Sequence, residues 1–173
     1  MDFKHVPVLY EECLEGLAIK PDGIYVDGTL GGAGHAFGIG SRLSEKGILI
    51  GIDRDKEAIK AAEKRLESLS CTKFLVQSTS DQIEDVLTQL QIDGIDGALL
   101  DIGVSSYQLD NGERGFSYMH DAPLDMRMNQ DDSFSAYDVV NGYDKKKLTE
   151  IIRKYGEERW ASRISDFIVK HRR

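Results

Sequence analysis

The chain has 173 residues, a mass of 19.4 kDa, 40% hydrophobic residues and a formal net charge of −8, which is enough for one domain, or one with an insertion, and excludes two large domains or a mainly disordered chain. The longest apolar runs, such as GILIGI at 47–52, are far too short to span a bilayer, residues 1–10 carry no hydrophobic signal core, and Cys13 and Cys71 stand without a CxxC or paired histidines. A cytoplasmic protein with two reduced thiols, no metal site and no membrane contact is therefore expected. The acidic charge is uneven, because residues 145–173 hold ten Lys and Arg against four Asp and Glu. That basic arm reads first as a solvated helix face and second as a nucleic-acid contact.

Taken in order, GIYVD at 23–27 predicts a strand, followed by a glycine loop and a helix from about His35 to Ser44. ILIGID at 48–53 predicts a second strand, and the helix after it puts Ala58, Ile59, Ala62, Leu66 and Leu69 on one face. KFLVQ at 73–77 is a third strand, SDQIEDVLTQL at 80–90 a third helix with a Ser or Asp cap, and DGALLDIG at 96–103 a fourth strand. Strands alternating with helices predict a doubly wound α/β fold with a parallel sheet and right-handed crossovers. After Gly103 the rhythm stops: 104–132 is loop-like, and from Ser133 three helices are expected, broken near Asn141-Gly142 and Gly156. Ile151, Ile152, Tyr155, Trp160, Ile164, Phe167 and Ile168 are expected on their inner faces. The expected organisation is a core over 1–103 and a loop with a helical insertion over 104–173.

The run DGTLGGAGH at 27–35 lies between a strand and a helix, where glycines permit a close backbone approach to a ligand. No Lys-Ser/Thr follows its last glycine, so it is not a P-loop, and it does not fit GxGxxG. Asp53, at the end of the second strand, lies 26 positions after Asp27 and is placed to accept hydrogen bonds from ribose hydroxyls. Loop and acid together point to an adenosine cofactor, with NAD and S-adenosylmethionine both open. Asp101, at the end of the fourth strand, points into the same crevice, and the polar stretch Ser105–Asp110 follows it.

HVPVL at 5–9, DGTLGGAGH at 27–35, IDRD at 52–55, LLDIGVSSYQLD at 99–110, RGFSYMHDAPLDMRM at 114–128 and YGEERWASRI at 155–164 together resemble the MraW type, also called RsmH. This family comprises S-adenosylmethionine-dependent methyltransferases that modify cytidine N4 in small-subunit ribosomal RNA. The resemblance runs from His5 to the end, and RGFSYMHDAPLDMRM is its most specific part. It implies a methyltransferase core, incomplete after about four strands, with a partial helical insertion. It also implies that Ala33, Gly34 and His35 contact the methionine end of the cofactor, that Asp53 holds the ribose, and that Asp101 and Gln108 complete the pocket near the transferred methyl. The position aligned with the family's usual adenine-flanking aromatic is Ser80, which removes a stacking surface.

An exocyclic cytosine amine is a poor nucleophile, so an acceptor must hydrogen-bond its N–H as methyl transfer proceeds, and Asp101 is the candidate catalytic residue. Transfer is otherwise a matter of alignment and requires no metal. Phe116, Tyr118 and Tyr107 are available to stack on a splayed-out base, although aromatic residues in such loops are more often core. His5 is read as an anchor of the N-terminus and His35 as a loop-stabilising or cofactor-contacting residue. Members of the family continue well beyond this length, so the chain is expected to be a fragment. Its fourth strand would then have an open edge that invites pairing with a second copy. The partners implied are small-subunit ribosomal RNA or the ribosomal subunit. The rival readings are an NAD-dependent oxidoreductase and a non-catalytic RNA-binding or ribosome-binding fragment.

Overall fold

The computed structural model describes residues 7–172, and of Ser106 the backbone alone. His5 and Arg173 lie outside the described residues. The chain divides into two compact units, with the boundary between Tyr107 and Gln108.

The first unit is a four-stranded parallel sheet in the order β3-β2-β1-β4. Its strands are β1 (Ile24–Asp27), β2 (Ile48–Asp53), β3 (Thr72–Gln77) and β4 (Gly97–Leu99). Side chains alternate between the faces, as a pleated strand requires. Tyr25 and Leu49 pack with α1 (Tyr10–Gly16), α2 (Gly34–Gly40) and α3 (Lys56–Arg65), whereas Val26, Ile50 and Ile52 pack with α4 (Ile83–Gln89). Right-handed crossovers account for this split. Two successive steps, β1 to β2 and β2 to β3, put α2 and α3 on one face, and the return from β3 to β4 puts α4 on the other. The direction of winding reverses between β1 and β4, and ligands of open α/β sheets bind at such a switch point.

Helix α3 shows the local logic. Asp55 at its N-cap accepts a hydrogen bond from Glu57 N at 3.0 Å, Glu57 sits in its first turn, and Lys64 and Arg65 lie in its last, as the helix dipole favours. Its inner residue Ala62 is buried and Ile59 partly so, but the helix ends at Arg65, so that Leu66, its buried C-cap, and Leu69, partly buried, reach the same core from beyond the expected helical face.

Several boundaries differ from expectation. No element is predicted before Gly23, yet α1 forms there and buries Leu14. The third helix opens with a 3₁₀ turn over Ser80–Gln82 before α4 begins. β4 ends at Leu99 rather than 103, because its partner β1 turns into the glycine loop and the last ladder bond is Gly28 N to Leu99 O, 2.9 Å. Among the described residues, β1 is the only strand beside β4.

The second unit begins with α5 (Ser106–Asp110), which opens in the first unit and crosses the boundary, within a stretch that reads as loop; five residues are too few to display a helical period. It continues with a 3₁₀ turn over Gly112–Arg114 and with α6 (Ala136–Gly142), α7 (Lys145–Gly156) and α8 (Ala161–His171). Ser135 and Asp138 form a reciprocal capping box that starts α6, and Asp144 accepts from Lys147 N at 2.8 Å to start α7. The predicted inner faces are partly overturned. Leu148, Ala161 and Ser165 are buried, but Tyr155 is 74% exposed, Trp160 56% and Phe167 66%. Tyr155 belongs to the end of α7 and Trp160 caps α8, and on α8 itself the small residues Ala161 and Ser165 take the buried positions while Phe167 is left outside. No helix among the described residues is long and apolar enough to cross a membrane.

Candidate active site

The carboxyl ends of β1, β2 and β4 bring Asp27, Asp53 and Asp101 to one edge of the first unit's sheet, around the loop Gly28–His35. Gly31 takes a φ of 47°, a left-handed conformation suited to glycine, and donates its N–H to Asp53 Oδ2 at 2.8 Å. The other oxygen of Asp53 accepts from Asp55 N, also at 2.8 Å. Leu30 N donates to Ile52 O at 3.1 Å, which fastens the loop onto β2. Across the switch point, Asp101 N donates to Thr29 Oγ1 at 2.7 Å, and the Asp101 side chain is exposed.

Asp27 lies beneath this edge and is only 1% exposed. It accepts a hydrogen bond from Thr29 N at 3.1 Å. Burial pushes its pKa up to about 6, against the downward pull of backbone hydrogen bonds from Thr29 and Ala36, and the nearby Asp53 and Asp101 carboxylates push the same way as burial.

Of the residues singled out from sequence, the first unit gathers Ala33, Gly34, His35, Asp53, Ser80 and Asp101. Ala33 is the fully buried N-cap of α2, with a φ of 54° and no side-chain cap. A methyl at Gly34 would meet Pro7 Cγ at 2.3 Å, so that glycine is required by the close passage of the N-terminal segment. His35 is 6% exposed, its Nε2 lies 3.1 Å from Val8 O, and its ring stacks on Tyr10. That geometry ties the N-terminal segment to α2. Ser80 lies beside the loop, its Cβ 3.6 Å from where a Gly28 methyl would be, with Leu100 and Ile83 completing an apolar wall. Gln108 belongs to the second unit and is buried.

Three residues of this neighbourhood are absent from the sequence-based set. Asp27 and Thr29 lie inside the glycine motif, where a polar residue next to the glycines was the available signal. Arg65 reaches back 33 residues to donate from Nη1 to Gly32 O at 2.5 Å, and no local pattern announces that contact.

In the second unit, the stretch RGFSYMHDAPLDMRM is braced by its arginines. Arg114, 3% exposed, donates through Nη2 to Arg127 O at 3.1 Å and Met128 O at 2.8 Å. Arg127 forms a bidentate pair with Asp125, Nε to Oδ1 2.9 Å and Nη2 to Oδ2 2.7 Å, and its Nη1 donates to Gln130 O and Asp132 O. The Arg127 guanidinium holds the Asp125 carboxyl below its ordinary range. Of the proposed stacking residues, Phe116 is partly buried under Arg114, whereas Tyr118 is 97% exposed and Tyr107, in the first unit, 58%.

The chain matches the MraW methylase family over residues 2–173. It is 54% identical over 172 residues to "Ribosomal RNA small subunit methyltransferase H" of Clostridioides difficile (strain 630), covering 99% of this chain and 55% of that protein. It is 53% identical, with the same coverage, to the protein of that name in Clostridium botulinum (strain Loch Maree / Type A3). The chain thus spans about half the length of the curated relatives it matches. Among solved structures it is similar to a putative rRNA-methylase from Clostridium thermocellum, with a TM-score of 0.46 and 20% identity over 59% of this chain and 57% of that one. With its full described length matched and relatives at this identity, the chain belongs to the MraW methylase family.

Proposed function

We propose that this chain is the cofactor-binding part of an S-adenosylmethionine-dependent methyltransferase acting on cytidine N4 of small-subunit ribosomal RNA. The observation that carries this reading is the set of strand-end carboxylates around a glycine loop at the switch point of a chain in a methylase family. Family membership supports S-adenosylmethionine over NAD, and the relatives' shared name supports a ribosomal RNA substrate.

The residues fit the cofactor. A carboxylate offers about four lone-pair sites, and the two backbone donors on Asp53, one to each oxygen, leave acceptor capacity for two ribose hydroxyls. Ala33, Gly34 and His35 hold the methionine end, Ser80 borders the adenine, and Asp101 stands near the reacting carbon. S-adenosylmethionine, when bound, supplies a methyl group made electrophilic by its sulfonium. Asp101 accepts the amine N–H hydrogen bond, which raises electron density on nitrogen as the new bond forms, and Thr29 Oγ1 holds the Asp101 backbone in register. Among the described residues β4 is paired on one side, and its other edge is read as a pairing site for a second copy.

Calorimetric titration of the chain with S-adenosylhomocysteine and with NAD tests the cofactor: the first is expected to bind and the second not, and the reverse overturns the reading. In a full-length form, Asp101→Asn is expected to slow single-turnover methylation at least tenfold with little change in cofactor affinity. A rate within twofold of wild type removes Asp101 from its role. Light scattering that shows only monomer across micromolar concentrations removes the pairing.

A further inference from the structure

Thr29 stands where the glycine loop meets the edge of β4, and its backbone and side chain are held by different partners. Its N–H donates to Asp27 Oδ1 at 3.1 Å, and Asp27 is buried. Its hydroxyl oxygen accepts the N–H of Asp101 at 2.7 Å, from 72 residues away. Its neighbours are fastened too: Gly28 N donates to Leu99 O at 2.9 Å and Leu30 N to Ile52 O at 3.1 Å. A β-branched side chain is stiff at χ1, so on a backbone fixed on both sides this hydroxyl is a strut and not a loose contact.

The turn it meets has little else to steady it. β4 is three residues long, Asp101 follows it outside any regular element, and Leu100, Ile102 and Val104 around it are exposed. A segment with few buried apolar contacts opens locally at low free energy. The glycine loop is better held, because Leu30 and Gly31 bind it to the central strand β2, Gly31 through Asp53 Oδ2 at 2.8 Å. Thr29 therefore joins a firmly held loop to a weakly held turn, and the two carry the two carboxylates assigned to the cofactor and to the transfer step.

We propose that Thr29 is a positioning residue that couples the two sides of the crevice: its hydroxyl passes the restraint of a cofactor-loaded glycine loop on to the Asp101 turn, so the Asp101 carboxylate is held most firmly when the cofactor site is filled. The proposal rests on the roles of Asp53 and Asp101 put forward above and adds a dependence of one on the other. A ribose on Asp53 restrains the loop at Gly31, two residues from Thr29, and the strut carries that restraint across the switch point.

The test sets Thr29→Val, which keeps the side-chain shape and loses the hydroxyl, against Thr29→Ser, which keeps the hydroxyl, in the whole chain. Amide hydrogen exchange is followed by NMR with and without saturating S-adenosylhomocysteine. In the wild type the ligand is expected to slow exchange of the Asp101 amide about fivefold, the scale of one neutral hydrogen bond. In Thr29→Val that amide is expected to exchange about tenfold faster than wild type without ligand and to slow by less than about twofold with it, while Thr29→Ser recovers at least about threefold slowing. The Leu30 and Gly31 amides report on the loop itself and are expected to stay within about threefold of wild type in both variants. In a full-length form, Thr29→Val is expected to slow single-turnover methylation about fivefold or more, with affinity for S-adenosylhomocysteine within about threefold. Undiminished slowing at Asp101 in Thr29→Val overturns the coupling, as does an equal loss of protection at Leu30 and Gly31. So does a Thr29→Val turnover rate within about twofold of wild type where Asp101→Asn is slow. These outcomes leave the cofactor reading standing. Failure of the wild type to bind S-adenosylhomocysteine sinks that reading and the coupling with it.

Discussion

The loops at 27–35 and 111–135 are both irregular and both held by charged side chains, but apart from Arg65 on Gly32 the first is held chiefly by carboxylates and the second chiefly by guanidiniums. In the first, carboxylates accept backbone N–H groups: Asp53 from Gly31 and Asp55, Asp27 from Thr29. In the second, guanidiniums donate to backbone carbonyls: Arg114 to residues 127 and 128, Arg127 to residues 130 and 132. Arg127 commits four N–H donors within its own loop, whereas the carboxylates of the first loop keep lone pairs free. A brace that spends four of its five donors on its own loop fixes a shape, and one with more capacity left over can also hold a ligand.

Breaking the second brace has the largest expected effect. Arg114→Leu removes a buried guanidinium and strands two partly buried carbonyls, and is expected to cost about 3 kcal/mol. Urea unfolding followed by Trp160, the sole tryptophan and a resident of the second unit, measures it. A midpoint equal to wild type would mean that the loop does not depend on that guanidinium.

Breaking the first brace acts on binding. Asp53→Ala is expected to weaken S-adenosylhomocysteine by about 2 kcal/mol, roughly thirtyfold, through lost charge-assisted hydrogen bonds. Equal affinities in calorimetry would place the ribose elsewhere.

The buried carboxylate sharpens the comparison through pH. The folded pKa of Asp27, about 6, lies above its ordinary 3.8, so its contribution to stability is complete only below the lower value and is lost as pH rises through about 6. Asp27→Asn removes that dependence. Between pH 4.5 and 8 the wild type is expected to lose about 2 kcal/mol relative to the variant, read from paired thermal melts. Parallel pH profiles would show that Asp27 is not neutral in the fold at low pH.

The smallest effect concerns the wall of the first loop. Ser80→Phe restores an aromatic face beside the apolar pair Leu100 and Ile83 and is expected to tighten S-adenosylhomocysteine by about 1 kcal/mol. Weaker binding would indicate that the ring blocks the adenine instead of covering it.

The sheet was legible in sequence because β1 and β2 are buried on both faces and therefore read as unbroken apolar runs between turn signals. Helix α5, of five residues, was not, being too short for a period to emerge, and α1, though as long as α2 and α4, precedes the first strand and so lay outside the strand–helix alternation that located those two. The outward turn of Trp160 and Phe167 was hidden because sequence shows how wide an apolar stripe is, and only packing shows which part of it is covered. For the candidate site, strand ends and glycines marked where Asp53 and Asp101 lie. The contacts that brace them, Arg65 to Gly32 and Thr29 to Asp101, join residues 33 and 72 positions apart and leave no local trace.

The switch point has one deep wall and one shallow one. Asp53 stands on a six-residue strand between two neighbours, while Asp101 follows a three-residue strand that, among the described residues, is paired on one side. Amide hydrogens of a flanked strand exchange only through large-scale opening, whereas those of a short edge strand exchange through local fraying. Residues 97–101 should therefore lose protection well before 48–53, and whatever fills the crevice must first quiet that side. The energy spent on quieting it is subtracted from affinity, so the same cofactor is held more tightly wherever a further strand already lies against β4.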